Sequence, residues 1–345
     1  MLAAVFNGPN DLRVEEVATP DIADDEVLVR VGANTICGTD LRVMRGEKTS
    51  GVRARSIIGH ETAGRVAAVG GRVSGYEVGA PVAMAPVVPC LRCWCCTHDL
   101  ENACENVRIM GFEVDGGLSE YMRVPAYAVE SGNLFVARED LPPEHLALTE
   151  PLSCCVNGQR RSQVGIDDSV VIMGAGPIGL FHVQLARLAG ADPVIVSEPN
   201  PQRREFARRL GADITIDPMA DDVGAAVLEA THGLGADRVI VCIGREQLFE
   251  DAVGIARKGG NVNLFAGFAG RGLSEVSANL IHYKELVVTG TSNSRRADFE
   301  VALRLIESGR VDVSPMVTHR FGLREVGDAF ATAGTGDAIK VAVLP

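Results

Sequence analysis

A chain of 345 residues, 46% hydrophobic and 23% charged, has the composition of a globular protein of about two domains, which excludes a disulfide-stapled miniature, a coiled coil and a disordered chain. Its formal charge of −12 at pH 7 repels phosphate backbones and anionic headgroups, so neither nucleic acid nor a membrane is expected as a partner. The most apolar run, Ser169 to Phe181, is shorter than the ~20 residues a spanning helix needs and carries three glycines and a proline.

Met1-Leu-Ala-Ala-Val-Phe6 has no basic residues and runs into a turn at Asn7-Gly8-Pro9-Asn10. No signal peptide is read there, and the expected location is the cytoplasm. Residues 1 to about 150 read as short strands between long loops. Glu26-Val-Leu-Val-Arg-Val-Gly32 and Gly64-Arg-Val-Ala-Ala-Val-Gly70 alternate with a period of two.

After Leu152 the texture changes. Brief apolar runs at Val170-Val-Ile-Met173, Val194-Ile-Val196, Ile214-Thr-Ile216, Val239 to Ile243 and Val262 to Phe265 are mostly separated by helical patterns. That alternation predicts a parallel, doubly wound sheet. One of its helices is punctuated at both ends: Asn200 is the N-cap, Pro201 takes the first helical position and Gly211 lies just past the end. From about Leu286 to Pro345 a strand, an amphipathic helix (Ala297 to Ser308) and a final strand (Ala338 to Val343) have no clear place in the repeat and are expected to return to the first domain.

Nine cysteines in a large chain without an export signal point to metal or catalysis rather than disulfides. Cys90, Cys93, Cys96 and Cys104 have a C-x2-C-x2-C-x7-C spacing. Four thiolates on one looped segment close a zinc tetrahedron at about 2.3 Å per sulfur and leave no open position, so this zinc is structural. The alternative, four buried small hydrophobes, fits poorly with five cysteines packed into so short a stretch. Cys95 is either a bystander or an alternative ligand.

Gly174-Ala-Gly176-Pro177-Ile178-Gly179 follows a strand and opens a helix, and Glu198 ends the next strand. This is the setting of a dinucleotide fingerprint rather than of a plain turn before a core helix. The glycines admit a pyrophosphate to the helix N-terminus. Glu198 accepts hydrogen bonds from the adenosine ribose hydroxyls and repels a 2′-phosphate, which favours NAD over NADP. A third, dispersed set comprises Cys37-Gly38-Thr39-Asp40, Gly59-His60-Glu61 and Glu150-Pro151-Leu152. It supplies one sulfur, one imidazole and two carboxylates, a mixed set able to hold zinc with a position open.

With these motifs the chain resembles the zinc-dependent medium-chain alcohol dehydrogenase superfamily, particularly its bacterial polyol (sorbitol or L-iditol), butanediol and threonine dehydrogenases. The resemblance runs from Asp25 to Val31 through Gly116-Gly-Leu-Ser-Glu-Tyr121 and Ile281-His-Tyr-Lys-Glu285 to the C-terminus. It implies an α/β chain with a GroES-like, mostly-β catalytic domain (1–152, completed by 290–345) and a Rossmann NAD-binding domain with a doubly wound parallel sheet (153–289). It also implies that Cys37 and His60 are catalytic zinc ligands, that Thr39 takes the substrate proton and that Asp40 orients His60. Glu61 and Glu150 are both ligand candidates. Zinc with one thiolate and one carboxylate is neutral, and a second carboxylate would oppose a developing alkoxide, so one Glu is expected to bind at a time. Ile178 and Arg203 would lie beside the cofactor, with Phe265, Gly267 and Thr291 near its nicotinamide half.

One position departs from that family. Five residues after Cys37, where many relatives carry a proton-relaying histidine, stands Arg42. Arginine stays protonated, so either water completes the relay or Arg42 serves a cofactor phosphate or an anionic substrate group. The reading is an NAD-dependent enzyme with two zinc ions per chain, oxidising a secondary alcohol of a polyol, sugar or cyclitol to a ketone. Threonine and 2,3-butanediol are alternative substrates. By the same resemblance it is a homo-oligomer, tetramer or dimer, with a pocket lined by Thr49 to Ser56 and the residues after Glu150. A zinc-free quinone or enone reductase would lack Cys37, His60 and the four-cysteine lobe, and a non-catalytic zinc-binding interaction protein would have no use for the fingerprint with Glu198.

Overall fold

The computed structural model describes residues 1–138, 140–268 and 272–345. The chain forms two compact units, Met1–Ser153 with Asn293–Pro345, and Cys154–Ser292. No helix among the described residues is long and apolar enough to cross a membrane.

The first unit is built on a seven-stranded sheet around Val27–Thr35. In that strand Val27, Val29 and Val31 are buried while Arg30 faces out, the period of two that places alternate residues on opposite faces. The apolar face packs with Val66, Val82, Met84, Met122 and Val124 from neighbouring strands. Glu61–Val69 runs antiparallel beside it in a register that sets Thr35 opposite Glu61. On its other side the last strand of the chain, Lys340–Leu344, pairs through Ala342 with Thr35 and Val343 with Asn34. The C-terminal segment thereby completes this sheet. The helix Arg296–Glu307 also belongs to the unit, burying Phe299, Ala302, Leu303 and Ile306 on one face at helical spacing.

The second unit is a six-stranded, wholly parallel sheet. Its strands lie in the order Ile214–Ile216, Val194–Ser197, Val170–Met173, Ala236–Val241, Ala256–Leu264 and Val287–Gly290. The inner strand Val170–Met173 is buried throughout, as a strand covered on both faces must be. Strand order reverses on either side of it, which opens a crevice beyond the carboxyl ends. The helix Pro201–Arg209 begins as its cap predicts, with Asn200 Oδ1 accepting from the amides of Gln202 (2.9 Å) and Arg203 (3.3 Å).

One expectation is corrected. The strand after Leu286 does not return to the first unit with the C-terminal segment. Val287–Gly290 pairs in parallel with Ala256–Leu264 as the sixth strand. The helix Ala278–Lys284 feeds it through a left-handed turn at Glu285. No helix or strand occupies the described part of 265–277, so the alternating pattern is broken just before this last unit of the repeat.

Candidate metal and dinucleotide sites

Within the first unit the register of Val27–Thr35 against Glu61–Val69 brings the chain just after one strand beside the start of the other. Cys37 caps the helix Gly38–Met44, its Sγ accepting from the Thr39 amide at 3.4 Å. Asp40, fully buried, accepts from the Cys37 amide at 2.9 Å with one oxygen and holds His60 Nδ1 at 3.2 Å with the other. Nδ1–H donating to Asp40 leaves the opposite nitrogen to face Cys37. The Cys37 sulfur, a His60 nitrogen and a Glu61 oxygen lie within 4.8 Å of one another. Burial opposes a positive His60, but the Asp40 carboxylate and the Cys37 sulfur outweigh it and hold its pKa well above the ordinary value. A site that so strongly attracts a proton to buried donors fits a small cation, and sulfur with imidazole and carboxylate suits zinc.

The Glu61 carboxylate is clasped from behind. Thr35 Oγ1 donates to it, and Lys340 Nζ stands against both of its oxygens while also donating to the Ile36 carbonyl at 3.1 Å. Lys340 is buried, and although burial disfavours its charge, Glu61 outweighs that and raises its pKa. Its ammonium offsets one carboxylate charge, which a count of zinc, thiolate and carboxylates omits. Glu150 lies outside the close group of Cys37, His60 and Glu61. It sits in the first turn of Thr149–Ser162, 8% exposed, with burial and then the Glu61 and Asp40 carboxylates pushing its pKa to about 7 against His60 and Lys340. Sequence reasoning missed Lys340. The signal was a lone lysine inside the apolar Ala338-Ile-Lys-Val-Ala-Val343.

Cys90, Cys93, Cys96 and Cys104 converge in the same unit, and Cys95 is not part of that group. The separations Cys93 to Cys96 and Cys93 to Cys104 are 3.5 and 3.8 Å, and a tetrahedron with bonds of about 2.3 Å has edges of about 3.8 Å. All four are free thiols. The Arg92 and Cys93 amides help draw Cys90 down to about 6. Burial, reinforced by neighbouring thiols, pushes Cys96 up to about 12. Four sulfurs this close cannot all ionise without a cation among them.

In the second unit the carboxyl ends of the strands carry the fingerprint. Gly174 has φ +102°, and a Cβ there would press on Ile243 at 2.7 Å. A Cβ on Gly179 would fall 1.9 Å from the Gly174 carbonyl, so only glycine lets the helix Pro177–Ala189 approach the strand. Gly176, its N-cap, faces open space, the nearest atom to an added Cβ being Arg203 Nη1 at 3.9 Å. Those are the three separate duties of a pyrophosphate cradle. Glu198 is 3% exposed, one oxygen accepting from the Ala175 amide at 2.7 Å and the other from the Asn200 amide at 2.9 Å.

Phe265 does not turn its ring to the crevice. The ring packs edge-on to His182 at 4.9 Å and against Gly158, leaving backbone at the strand end. Thr291 Oγ1 donates to Asn263 Oδ1 at 3.0 Å, and Asn263 Nδ2 is in turn anchored on the Gly158 carbonyl (3.1 Å) and Ser162 Oγ (2.9 Å). Gly267 is exposed, with open space where a Cβ would stand, and Ile178 lies half-buried in the first turn of Pro177–Ala189. Arg42, half-exposed on Gly38–Met44, has Glu47 4.0 Å from its Nε.

Residues 23–131 match the family model described as alcohol dehydrogenase GroES-like domain, and residues 177–308 match zinc-binding dehydrogenase. The chain is 35% identical over 333 residues to an L-threonine 3-dehydrogenase of Pyrococcus furiosus, covering 95% of this chain and 94% of that protein. It is 31% identical to an L-galactonate-5-dehydrogenase of Escherichia coli K12, covering 96% and 94%. Among solved structures, a Sinorhizobium meliloti 1021 chain with NADP bound superposes with a TM-score of 0.94 at 32% identity, over 100% of this chain and 99% of that one.

Proposed function

Because the chain belongs to the zinc-dependent medium-chain alcohol dehydrogenase superfamily, we propose that it oxidises a secondary alcohol of a polyol, sugar or cyclitol to a ketone with NAD and carries two zinc ions. The observation that carries this reading is the open three-donor group of Cys37, His60 and Glu61. These residues, with Glu150 as the alternative carboxylate, would hold the catalytic zinc, and Cys90, Cys93, Cys96 and Cys104 the structural one. When bound, zinc supplies Lewis-acid polarisation of the alcohol oxygen, and NAD supplies the hydride acceptor.

The remaining work falls to the chain. Asp40 fixes the His60 ring in the tautomer that presents its second nitrogen. Thr39 takes the hydroxyl proton and passes it on. Arg42 cannot relay that proton by titrating, so water completes the path or Arg42 serves an anion. Gly176 lets a pyrophosphate reach free amides at a helix N-terminus. Glu198 presents a pinned carboxylate to the ribose hydroxyls, and its charge favours NAD over NADP. The identity to the P. furiosus enzyme favours a second reading in which the secondary alcohol is the 3-hydroxyl of threonine.

Incubating the zinc-loaded protein with polyols, cyclitols, diols, sugar acids and threonine, each with NAD and with NADP, tests the proposal through absorbance at 340 nm. NADH formation with at least one secondary alcohol, at a lower KM for NAD than for NADP, is the expected result. No reduced cofactor from any of them, at two zinc ions per chain, would overturn it.

A further inference from the structure

The segment after the helix Gly38–Met44 is cationic in a chain that is otherwise strongly acidic. Between positions 42 and 55 stand Arg42, Arg45, Lys48, Arg53 and Arg55 against Glu47 alone, while the whole chain carries −12. Ion pairs absorb part of that charge. Arg45 forks onto Glu47 at 2.6 and 3.1 Å, Arg42 shares the same carboxylate at 4.0 Å, and Arg53 reaches Asp115 at 2.8 Å. Lys48 and Arg55 have no carboxylate partner among the described residues.

The turn that carries Lys48 is built rather than loose. The amides of Glu47 and Lys48 both donate to the Arg42 carbonyl, at 2.9 and 3.3 Å. The Lys48 ammonium donates to the Ser50 carbonyl at 3.2 Å and stands over the Phe112 ring at 5.2 Å. The Phe112 ring also neighbours that of His60, at 5.3 Å between centroids. The Lys48 ammonium and the His60 imidazole thus each lie within 5.3 Å of the centre of one aromatic ring. Glu113, next to Phe112 in the chain, accepts from the Ile109 amide at 2.9 Å and is turned against Gly51.

We propose that Lys48 binds the carboxylate of the substrate, with Arg42 and Arg55 adding to the positive field, so that the substrate is a secondary alcohol bearing a carboxylate rather than a neutral polyol. This rests on the dehydrogenase reading above. A cluster of cations beside the metal site is a local reversal of sign in a chain that carries −12, and such a reversal draws an anion to a site the rest of the surface would repel it from. Two sources share that chemistry, a sugar acid and a hydroxy amino acid.

Steady-state constants for L-galactonate, for L-threonine and for the neutral polyol in which the galactonate carboxylate is reduced to hydroxymethyl provide the test. The wild-type protein should show the higher kcat/KM with an acid, and its KM for that acid alone should rise with ionic strength. Which acid turns over separates the two sources. Lys48→Met, which keeps the apolar stem over Phe112, should raise the KM for the acid roughly 10-fold with kcat and the neutral-substrate constants nearly unchanged. Lys48→Arg should restore most of the loss. A preference for the neutral alcohol, a salt-independent KM, or equal losses for both substrates in Lys48→Met would overturn the assignment while leaving a dehydrogenase. Absence of turnover with every alcohol would instead remove the dehydrogenase reading itself.

Discussion

The Lys340 ammonium and the Glu61 carboxylate lie 279 positions apart in the chain and form a buried ion pair immediately behind Cys37 and His60. The C-terminal strand makes the contact possible, because Lys340 reaches Glu61 only where Lys340–Leu344 docks on Val27–Thr35. Removing one partner of such a pair leaves an uncompensated charge, at a cost of about 3–5 kcal/mol. Lys340→Met should therefore lose that much stability in urea denaturation, and Lys340→Met with Glu61→Gln should recover a large part of it. Two losses that simply add would show that the pair is not coupled.

On the proposed two-zinc reading, serine at Cys104 should release the ion of the four-cysteine site and lower the melting temperature, because binding energy at a closed four-thiolate site is folding energy. Chelator treatment of the native protein should produce the same early melting, because it removes the cation that holds the four sulfurs together. Metal analysis beside a thermal melt checks both. A Cys104→Ser protein that kept two zinc ions would contradict the assignment.

On the proposed reading, Glu198→Ala removes the ribose acceptor and the charge that would meet a 2′-phosphate. The KM for NAD should rise about 10-fold, the worth of a charge-assisted hydrogen bond, and NADP should become a usable cofactor. Unchanged ratios of kcat/KM for the two cofactors would mean that Glu198 serves only the amides of Ala175 and Asn200.

His182, wholly buried in Pro177–Ala189, has its pKa pushed down to about 3 by burial. The imidazole is neutral when folded and takes a proton near pH ~6.5 when unfolded. Its contribution is fully present above that pH and is lost as pH falls toward 3. Between pH 7 and pH 5 the loss is about 2 kcal/mol. Urea denaturation at the two pH values should show a difference smaller by that amount in His182→Gln than in wild type, and equal differences would mean that the histidine does not drive the acid sensitivity.

Local patterns made much of this chain legible. Four cysteines on one loop, a glycine turn between strand and helix, and Asn200 before Pro201 act within a few residues of themselves, so spacing alone carries them. What depends on strand pairing was hidden. Lys340 was readable only as an oddity in an apolar run, since its partner is fixed by sheet order. The direction of the Phe265 ring is decided by the space left at Gly158 beside His182, which no periodicity reports. Periodicity alone misplaces Val287–Gly290, because the pattern lapses before Ala278–Lys284, whereas the family resemblance with its boundary at 289 keeps most of that strand in the second unit. The two carboxylates near Cys37 are both visible as ligand candidates, and only the folded arrangement separates Glu61, inside the close group, from Glu150, outside it.

The central claim is that Cys37 and His60 hold a metal on which alcohol oxidation depends. The most direct measurement is the initial rate of NADH formation by wild type and by Cys37→Ser, each with its zinc content and melting temperature determined. The account predicts that Cys37→Ser melts as a folded protein, retains the zinc of the four-cysteine site and loses turnover by at least 100-fold, roughly the 3 kcal/mol or so of transition-state stabilisation that charge stabilisation of this kind supplies. A Cys37→Ser protein that turned over alcohol at the wild-type rate would contradict it.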